Sequence, residues 1–239
     1  MDWSNYDAAL FDLDGVITPT AEVHMHAWAE MFDAFLAEQG IDEPYTDDDY
    51  FQYVDGKPRY DGVRDFLASR GVELPWGHPS DPPELETVCG LGNRKNVFFN
   101  AEVKEHGIKA YPATVALIHR LREAGVRVGL MSSSKNTAMI LDVAGLTDLF
   151  EVRVDGVAGE ELGLPGKPDP AMYLETARRL GVEPARAAVV EDALAGVEAG
   201  RRGGFALVIG VDRLGQADAL REHGADIVVK DLAEVAFEE

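Results

Sequence analysis

The stretch Ala8–Ile17, AALFDLDGVI, decides the fold and points to the chemistry. Its first four residues are apolar, which is typical of a short buried strand. Asp12 and Asp14 follow at a spacing that places both carboxylates on one face of an extended chain. Gly15 then permits a tight turn. Acids at the carboxyl end of a parallel strand lie where open α/β sheets bind ligands. Taken alone, the pair could equally end a strand in solvent.

Three later polar segments favour the interpretation that this acidic pair belongs to a catalytic site. Ser132–Asn136 (SSSKN) and Glu191–Asp192 each follow a strand-like apolar run, and Gly166–Pro170 (GKPDP) has the composition of a loop. In a parallel sheet, the first two segments would converge on the edge that carries Asp12 and Asp14. The segments add a hydroxyl, an ammonium and a second acidic pair. A phosphoryl-transfer site needs these groups around a carboxylate nucleophile.

Strand-like runs alternate with helical patterns beyond residue 107, which predicts an α/β fold with a doubly wound, mostly parallel sheet. Roughly 90 residues of helical pattern separate the first strand from the second, too long for a simple connection. We therefore expect an α-helical cap at 19–107, inserted into a Rossmann-like core of 1–18 and 108–239. Within the cap, helices are expected at 20–39, 61–69 and 84–105. Gly90 and Gly92 suggest a break in the third helix.

The charge of the chain argues against an anionic polymer or surface as partner. Its 43 Asp and Glu against 22 Lys and Arg give a net charge of −21, so we expect neither nucleic acid nor a membrane to bind. An anionic substrate would need a local cationic pocket and a metal. The single cysteine, Cys89, excludes an internal disulfide and fits a reducing compartment. No secretory signal or apolar stretch near ~18 residues is visible, so we expect a cytoplasmic protein, and a monomer.

The four polar segments occur in the order typical of the haloacid dehalogenase superfamily of phosphotransferases. These are the Asp-x-Asp motif, a Ser after a strand (Ser132), a Lys (Lys167) and a late acidic pair. The opening Asp12–His24 (DLDGVITPTAEVH) and the SSSKN segment are similar to the β-phosphoglucomutase family, as is the segment 191–196 (EDALAG). The resemblance implies a core with an inserted helical cap and a cis peptide bond before Pro168.

The resemblance also implies the roles of the core residues. Asp12 would be the nucleophile that forms an aspartyl phosphate, and Asp14 the general acid and base. Ser132 would donate to a phosphoryl oxygen, and Lys167 would balance the charge between phosphate and acids. The ligands of a Mg²⁺ ion would be the Asp12 carboxylate, the Asp14 backbone carbonyl and Asp192, with Glu191 nearby.

Further residues are implied in binding the sugar and its second phosphate. The SSSKN segment precedes a helix, where backbone N–H groups and a cation suit an anion, and Arg59 could close over that anion from the cap. His24 matches a hinge histidine that couples cap closure to proton transfer. The substrate-binding residues implied are Arg59, Lys95, Asn96, Ser133, Ser134, Lys135 and Asn136.

Two reactions remain open. The first is a Mg²⁺-dependent mutase that interconverts β-glucose 1-phosphate and glucose 6-phosphate. The second is a phosphatase that acts on a small phosphorylated sugar or related metabolite through the same nucleophile. The sequence also departs from the family pattern. Pro19 stands where an Asp is usual in the hinge and could alter how the cap swings. The residues 60–62 (YDG) after Arg59 and the segment Trp76–Pro83, which looks like extra length, could reshape the sugar pocket, so that the exact substrate stays open. A sugar-phosphate-binding protein without turnover is a third possibility, which the intact acids disfavour.

Overall fold

The computed structural model describes residues 1–237 and divides into two compact units. One unit comprises Met1–Pro19 and the chain from Ile108 onward, and the other comprises Thr20–Gly107. We call them the core unit and the cap unit. Among the described residues, no helix is long and apolar enough to cross a membrane.

The cap unit is helical and has an aromatic centre of its own. The ring centres of Phe32 and Phe66 lie 4.1 Å apart, and the ring centre of Tyr45 lies 5.0 Å from each of these two. Burial of such large rings is the main stabilising contribution in a small helical unit. Its elements are α1 (Thr20–Glu38), α2 (Asp47–Asp49), a π-helical turn (Tyr50–Val54), α3 (Arg59–Ser69) and α4 (Val88–His106).

The expected break in the third long helix is wrong, because α4 runs without interruption through both glycines. The helix begins at Val88, where the side chain of Thr87 caps it by accepting a hydrogen bond from Gly90 N at 2.9 Å. A Cβ atom on Gly90 would lie 2.1 Å from the carbonyl oxygen of Leu85. A Cβ on Gly92 would lie 2.8 Å from the Tyr60 ring. The glycines therefore serve close packing rather than a change of direction.

The core unit is built on a six-stranded sheet with the order β3-β2-β1-β4-β5-β6, in which every pair of neighbours is parallel. This confirms the predicted fold class. Helices connect successive strands beyond β2. The elements are β1 (Ala8–Phe11), α5 (Pro112–Glu123), β2 (Arg127–Met131), α6 (Thr137–Val143), β3 (Val152–Val154), α7 (Gly156–Leu162), α8 (Ala171–Leu180), β4 (Ala187–Glu191), α9 (Leu194–Arg202), β5 (Leu207–Val211), α10 (Ala217–Glu222) and β6 (Ile227–Val229).

The position of β1 in the sheet explains why the opening stretch is so apolar. All four residues of Ala8–Phe11 are buried, as expected of a central parallel strand covered on both faces. The strand order reverses between β1 and β4, and open α/β sheets bind ligands at the carboxyl ends of the strands beside such a reversal. Lys167, which follows α7, approaches this edge from a loop in which the Lys167–Pro168 peptide bond is cis.

Candidate active site

Three neighbouring strands deliver polar side chains to one edge of the sheet. Phe11 of β1 is in register with Leu130 of β2 and with Val190 of β4. Asp12 and Glu191 therefore stand side by side, and Asp12 N donates to the Val190 carbonyl at 3.0 Å. The side chains at this edge are largely shielded from solvent, with Asp12 4% exposed and both Glu191 and Ser132 fully buried.

The Lys167 ammonium lies between the two carboxylates. Its Nζ donates to Asp12 Oδ1 at 2.7 Å and also donates to Glu191 Oε1. Burial disfavours the charged form of this lysine, but the Asp12 and Glu191 carboxylates outweigh burial and raise the Lys167 pKa above its usual value. Lys167 is therefore a fixed positive charge. Burial also raises the pKa of Asp12. The Lys167 ammonium opposes this increase, whereas the carboxylates of Glu191 and Asp14 add to it.

Glu191 is held by hydrogen bonds on both of its oxygens. Oε1 accepts from Lys167 and from the Tyr173 hydroxyl at 3.0 Å, and Oε2 accepts from the backbone N–H groups of Asp192 and Ala193, each at 2.9 Å. Tyr173 is itself fully buried, and burial followed by the Glu191 charge raises its pKa well above the usual value. The phenol therefore stays protonated and acts as a donor, so that Glu191 anchors Lys167 in one position.

Three carboxylates at this edge could hold a metal ion. Asp12, Glu191 and Asp192 each offer an oxygen, and these oxygens lie within 4.8 Å of one another. Such an all-oxygen donor set suits a hard divalent cation. Asp192 fits closely against the turn after Asp14, because a Cβ atom on Gly15 would lie 1.6 Å from Asp192 Oδ2. Gly15 also has φ of +74°, so that both space and backbone conformation require glycine there.

The loop after β2 is ordered by its own hydroxyls. Ser132 Oγ accepts from Ser134 N at 3.1 Å, and Ser134 Oγ accepts from Asn136 N at 3.1 Å. A hydroxyl that accepts one bond can still donate its proton. The helix α6 begins directly after Asn136. The side chain of Lys135 pairs with Glu160 of α7 at 2.8 Å.

Within the cap unit, the side chains of two candidate residues, Lys95 and His24, are hydrogen-bonded to each other. Lys95 Nζ contacts His24 Nδ1, and Lys95 is almost completely buried. Its ammonium lies 4.9 Å from the centre of the Trp28 ring and 4.8 Å from that of Phe99, and the His24 ring stacks on Phe99 at 4.1 Å. Aromatic faces stabilise a cation at these distances. Lys95 is thus a positioned group rather than a mobile surface lysine.

The other two cap candidates also form a pair. Arg59 Nη2 donates to Asn96 Oδ1 at 2.8 Å. Arg59 begins α3 and Asn96 lies within α4, so that the guanidinium and the amide are presented by two helices of the same unit. The planar guanidinium is the side chain best suited to bidentate binding of a phosphate or carboxylate.

Three residues that contact the candidate site or the turn after Asp14 were not predicted. Tyr173 donates to Glu191, Glu160 pairs with Lys135, and Arg213 Nε donates to the carbonyl oxygen of Gly15 at 2.8 Å. In the sequence, Tyr173 is indistinguishable from a core aromatic of an amphipathic helix, and the other two look like ordinary surface charges. The groups that carry a sequence signal are those in or beside a strand end or a Gly/Pro-rich loop.

A buried carboxylate paired with a lysine, beside further acids where the strand order reverses, is typical of α/β enzymes that act on phosphoryl groups. The sequence model of the haloacid dehalogenase-like hydrolase family matches residues 6–204. A β-phosphoglucomutase of Mycobacterium bovis is 48% identical over 237 residues, which cover 95% of this chain and 90% of that protein. The chain therefore belongs to the β-phosphoglucomutase family of the haloacid dehalogenase superfamily.

Two further relatives extend the comparison. Validoxylamine A 7′-phosphate phosphatase of Streptomyces hygroscopicus is 32% identical over 243 residues, covering 97% of each chain. The crystal structure of a β-phosphoglucomutase from Clostridium difficile shares the fold, with a TM-score of 0.78 at 23% identity over 97% of this chain and 94% of that one. The predicted family and enzyme class are confirmed: the chain is an enzyme of the phosphotransferase or phosphatase type.

Proposed function

We propose that this protein is a Mg²⁺-dependent β-phosphoglucomutase, which interconverts β-glucose 1-phosphate and glucose 6-phosphate through glucose 1,6-bisphosphate. The observation that carries the proposal is the near full-length, 48% identity to a β-phosphoglucomutase. In this proposal, residues 1–18 and 108–239 form the catalytic core, and residues 19–107 form the cap that contributes to sugar recognition.

The transfer step follows from the chemistry of Asp12. A carboxylate oxygen of Asp12 attacks phosphorus, the bond from phosphorus to the sugar oxygen breaks, and Asp14 gives a proton to that leaving oxygen. In the second half, a sugar hydroxyl attacks the phosphorus of the aspartyl phosphate and gives its proton to Asp14, while the bond from phosphorus to the Asp12 oxygen breaks and restores the Asp12 carboxylate. Lys167 donates to Asp12 at 2.7 Å, where its charge offsets part of the negative charge that the phosphate brings.

The donor set supports the Mg²⁺ part of the proposal. The Asp12 and Asp192 carboxylates and the Asp14 backbone carbonyl would hold the ion, with Glu191 adjacent. Few protein ligands combined with substrate phosphate oxygens favour Mg²⁺ over Ca²⁺. When bound, the ion would neutralise phosphoryl charge. Glu191 is engaged by donors of the protein on both oxygens, so its main role in the proposal is to fix Lys167.

Substrate binding is assigned to the remaining polar candidates. Ser132 would donate to the phosphoryl group that is transferred. The loop residues Ser133, Ser134, Lys135 and Asn136, together with Arg59, would bind the phosphate that stays on the sugar. His24, Lys95 and Asn96 would face the sugar and its hydroxyls. The paired arrangement of these cap residues supports the assignment, since each pair presents a charged group on a fixed scaffold.

Product analysis tests the proposal most directly. The enzyme is supplied with β-glucose 1-phosphate, Mg²⁺ and a trace of glucose 1,6-bisphosphate, and both glucose 6-phosphate and free phosphate are measured over time. We expect glucose 6-phosphate to form without stoichiometric release of phosphate. Arg59→Ala should reduce mutase turnover far more than hydrolysis of a simple aryl phosphate. Equal losses in both assays would contradict its role in binding a second phosphate.

A second candidate function is a phosphatase of small phosphorylated sugars. The observation that favours it is the 32% identity, over 97% of both chains, to validoxylamine A 7′-phosphate phosphatase. The same Asp12 would form the aspartyl phosphate, but water would be the acceptor. Rapid release of phosphate from β-glucose 1-phosphate, with no glucose 6-phosphate, would establish this reaction in place of the mutase.

A further inference from the structure

Lys135 is engaged by a carboxylate from a neighbouring helix. Its Nζ lies 2.8 Å from Glu160 Oε2, and the pair is only partly exposed, with 23% of the Lys135 side chain open to solvent. Lys135 is the cation that the proposed function assigns to the second phosphate of the sugar. Glu160 therefore places a negative charge in contact with a group that is needed to bind a negative charge.

The contact is fixed by the way α7 packs against the loop after β2. Gly156 N donates to the Ser134 carbonyl at 3.1 Å. A Cβ atom on Gly156 would lie 2.5 Å from the Ser133 carbonyl oxygen, so only glycine allows the two backbones to come this close. Asp155 caps the helix by accepting from Val157 N and Ala158 N. Glu160 is thus presented toward Lys135 by a helix that is anchored to the loop itself.

We propose that Glu160 competes with the second phosphate of the substrate for Lys135, and so sets the affinity of the enzyme for sugars that carry two phosphates. This inference rests on the proposed function, because it takes Lys135 as a phosphate ligand. An incoming phosphate has to displace the Glu160 carboxylate or bind beside it. Either way, the carboxylate lowers the affinity, since like charges repel and the ammonium is already neutralised.

The size of the effect follows from the exposure of the pair. Glu160 is about half exposed, and pairs of this kind change an equilibrium by a small factor that salt reduces further. We therefore expect Glu160→Gln to tighten the binding of glucose 1,6-bisphosphate by about two- to fivefold. Glutamine keeps the size of the side chain and its place in the helix while removing the charge.

A matched control is available at the next position. Glu161 is an exposed residue of the same helix, and Glu161→Gln changes the net charge by the same amount. Affinity for glucose 1,6-bisphosphate is measured by calorimetry in full-length Asp12→Asn protein, which cannot form the aspartyl phosphate. The measurement covers Glu160→Gln, Glu161→Gln, Lys135→Ala and the double variant Glu160→Gln/Lys135→Ala, at 0.1 M and 1 M NaCl.

The expected pattern has four parts. Glu160→Gln tightens binding two- to fivefold at low salt, Glu161→Gln leaves it unchanged, Lys135→Ala weakens it, and the gain from Glu160→Gln disappears in the Lys135→Ala background. At 1 M salt the gain shrinks toward none. Unchanged or weaker binding by Glu160→Gln would overturn the inference, as would a gain that persists without Lys135, because the effect would then not pass through that residue.

The outcomes separate this inference from the proposed function. Weaker binding by Lys135→Ala without a gain from Glu160→Gln refutes the competition alone and leaves the phosphate assignment intact. No effect of Lys135→Ala refutes both that assignment and the competition. If product analysis shows a phosphatase but the calorimetric pattern holds, the mutase proposal fails while the role of Glu160 stands.

Discussion

Replacing Tyr173 by phenylalanine removes one hydroxyl from the buried cluster around Glu191 and nothing else. That hydroxyl donates to Glu191 Oε1 at 3.0 Å, and both residues are fully buried. A hydrogen bond to a charged group contributes about 1.5–3 kcal/mol to stability. For a chain of this size, each kcal/mol shifts the melting temperature by about 2–4 °C. We therefore expect Tyr173→Phe to lower the melting temperature of the core unit by about 3–12 °C.

Scanning calorimetry with circular dichroism measures this shift, and Tyr6→Phe is the control. Tyr6 packs edge-on against Trp3, with 5.8 Å between the ring centres, and its replacement by phenylalanine should change the stability by no more than about 0.5 kcal/mol. Because Tyr173 shares Glu191 Oε1 with Lys167, we also expect kcat to fall by about tenfold, equivalent to ~1.4 kcal/mol, with little change in KM. Equal shifts in the melting temperature of the two variants, or an unchanged melting temperature of Tyr173→Phe, would refute the anchoring role of the phenol.

Three further outcomes follow from single contacts. Gly196→Ala should lower kcat at least ~10-fold in steady-state assays, because its Cβ would lie 1.8 Å from Glu191 Oε1; parental kinetics would contradict this. Thr46→Ala should destabilise the cap unit by about 1 kcal/mol in urea unfolding, since it removes a capping box; an unchanged midpoint would count against it. Burial opposes ionisation of Asp49, but hydrogen bonds from Thr46 and Arg70 outweigh burial and lower its pKa. The stabilisation that ionised Asp49 contributes should therefore be fully present above its pKa of ~3.9 in the unfolded chain. It should be lost as the pH falls through the lower pKa of Asp49 in the folded protein. The difference in the free energy of unfolding between the unsubstituted protein and Asp49→Asn should therefore shrink as the pH is lowered. A difference that does not depend on pH would be evidence against this.

The sheet could be predicted from the sequence because its central strands are buried on both faces. Such strands appear as unbroken apolar runs, as in Ala8–Phe11 and in Ala187–Val190 of β4, and every residue of both strands is buried. The start of α4 and its continuity could not be predicted. Gly92 is required by the ring of Tyr60, which lies 32 residues earlier in the chain, and a local pattern carries no information about such a packing partner.

The residues of the site differ in the same way, since some are marked by a local sequence pattern and others only by contacts with residues distant in the chain. Asp12, Lys167 and Glu191 carry a sequence signal because each is a charged group in or beside a strand end or a Gly/Pro-rich loop, and the structure brings them into contact. Tyr173 and Glu160 carry none. An aromatic on the apolar face of a helix and an acid on an exposed helix are both common without any role in a site. Their relation to the site depends on three-dimensional contacts that form only after folding.

The core unit does not by itself decide between the two reactions. In the proposed function, a buried Asp12 that is held by a lysine and flanked by acids that could bind a metal would form an aspartyl phosphate in a mutase and in a phosphatase alike. The reactions differ in the acceptor, which is a sugar hydroxyl in one and water in the other. A sugar acceptor must be retained by its other phosphate while its hydroxyl replaces water. The cations proposed to bind this phosphate, and the carboxylate proposed to compete for one of them, are therefore the residues at which a mutase and a phosphatase built on the same core would be expected to diverge.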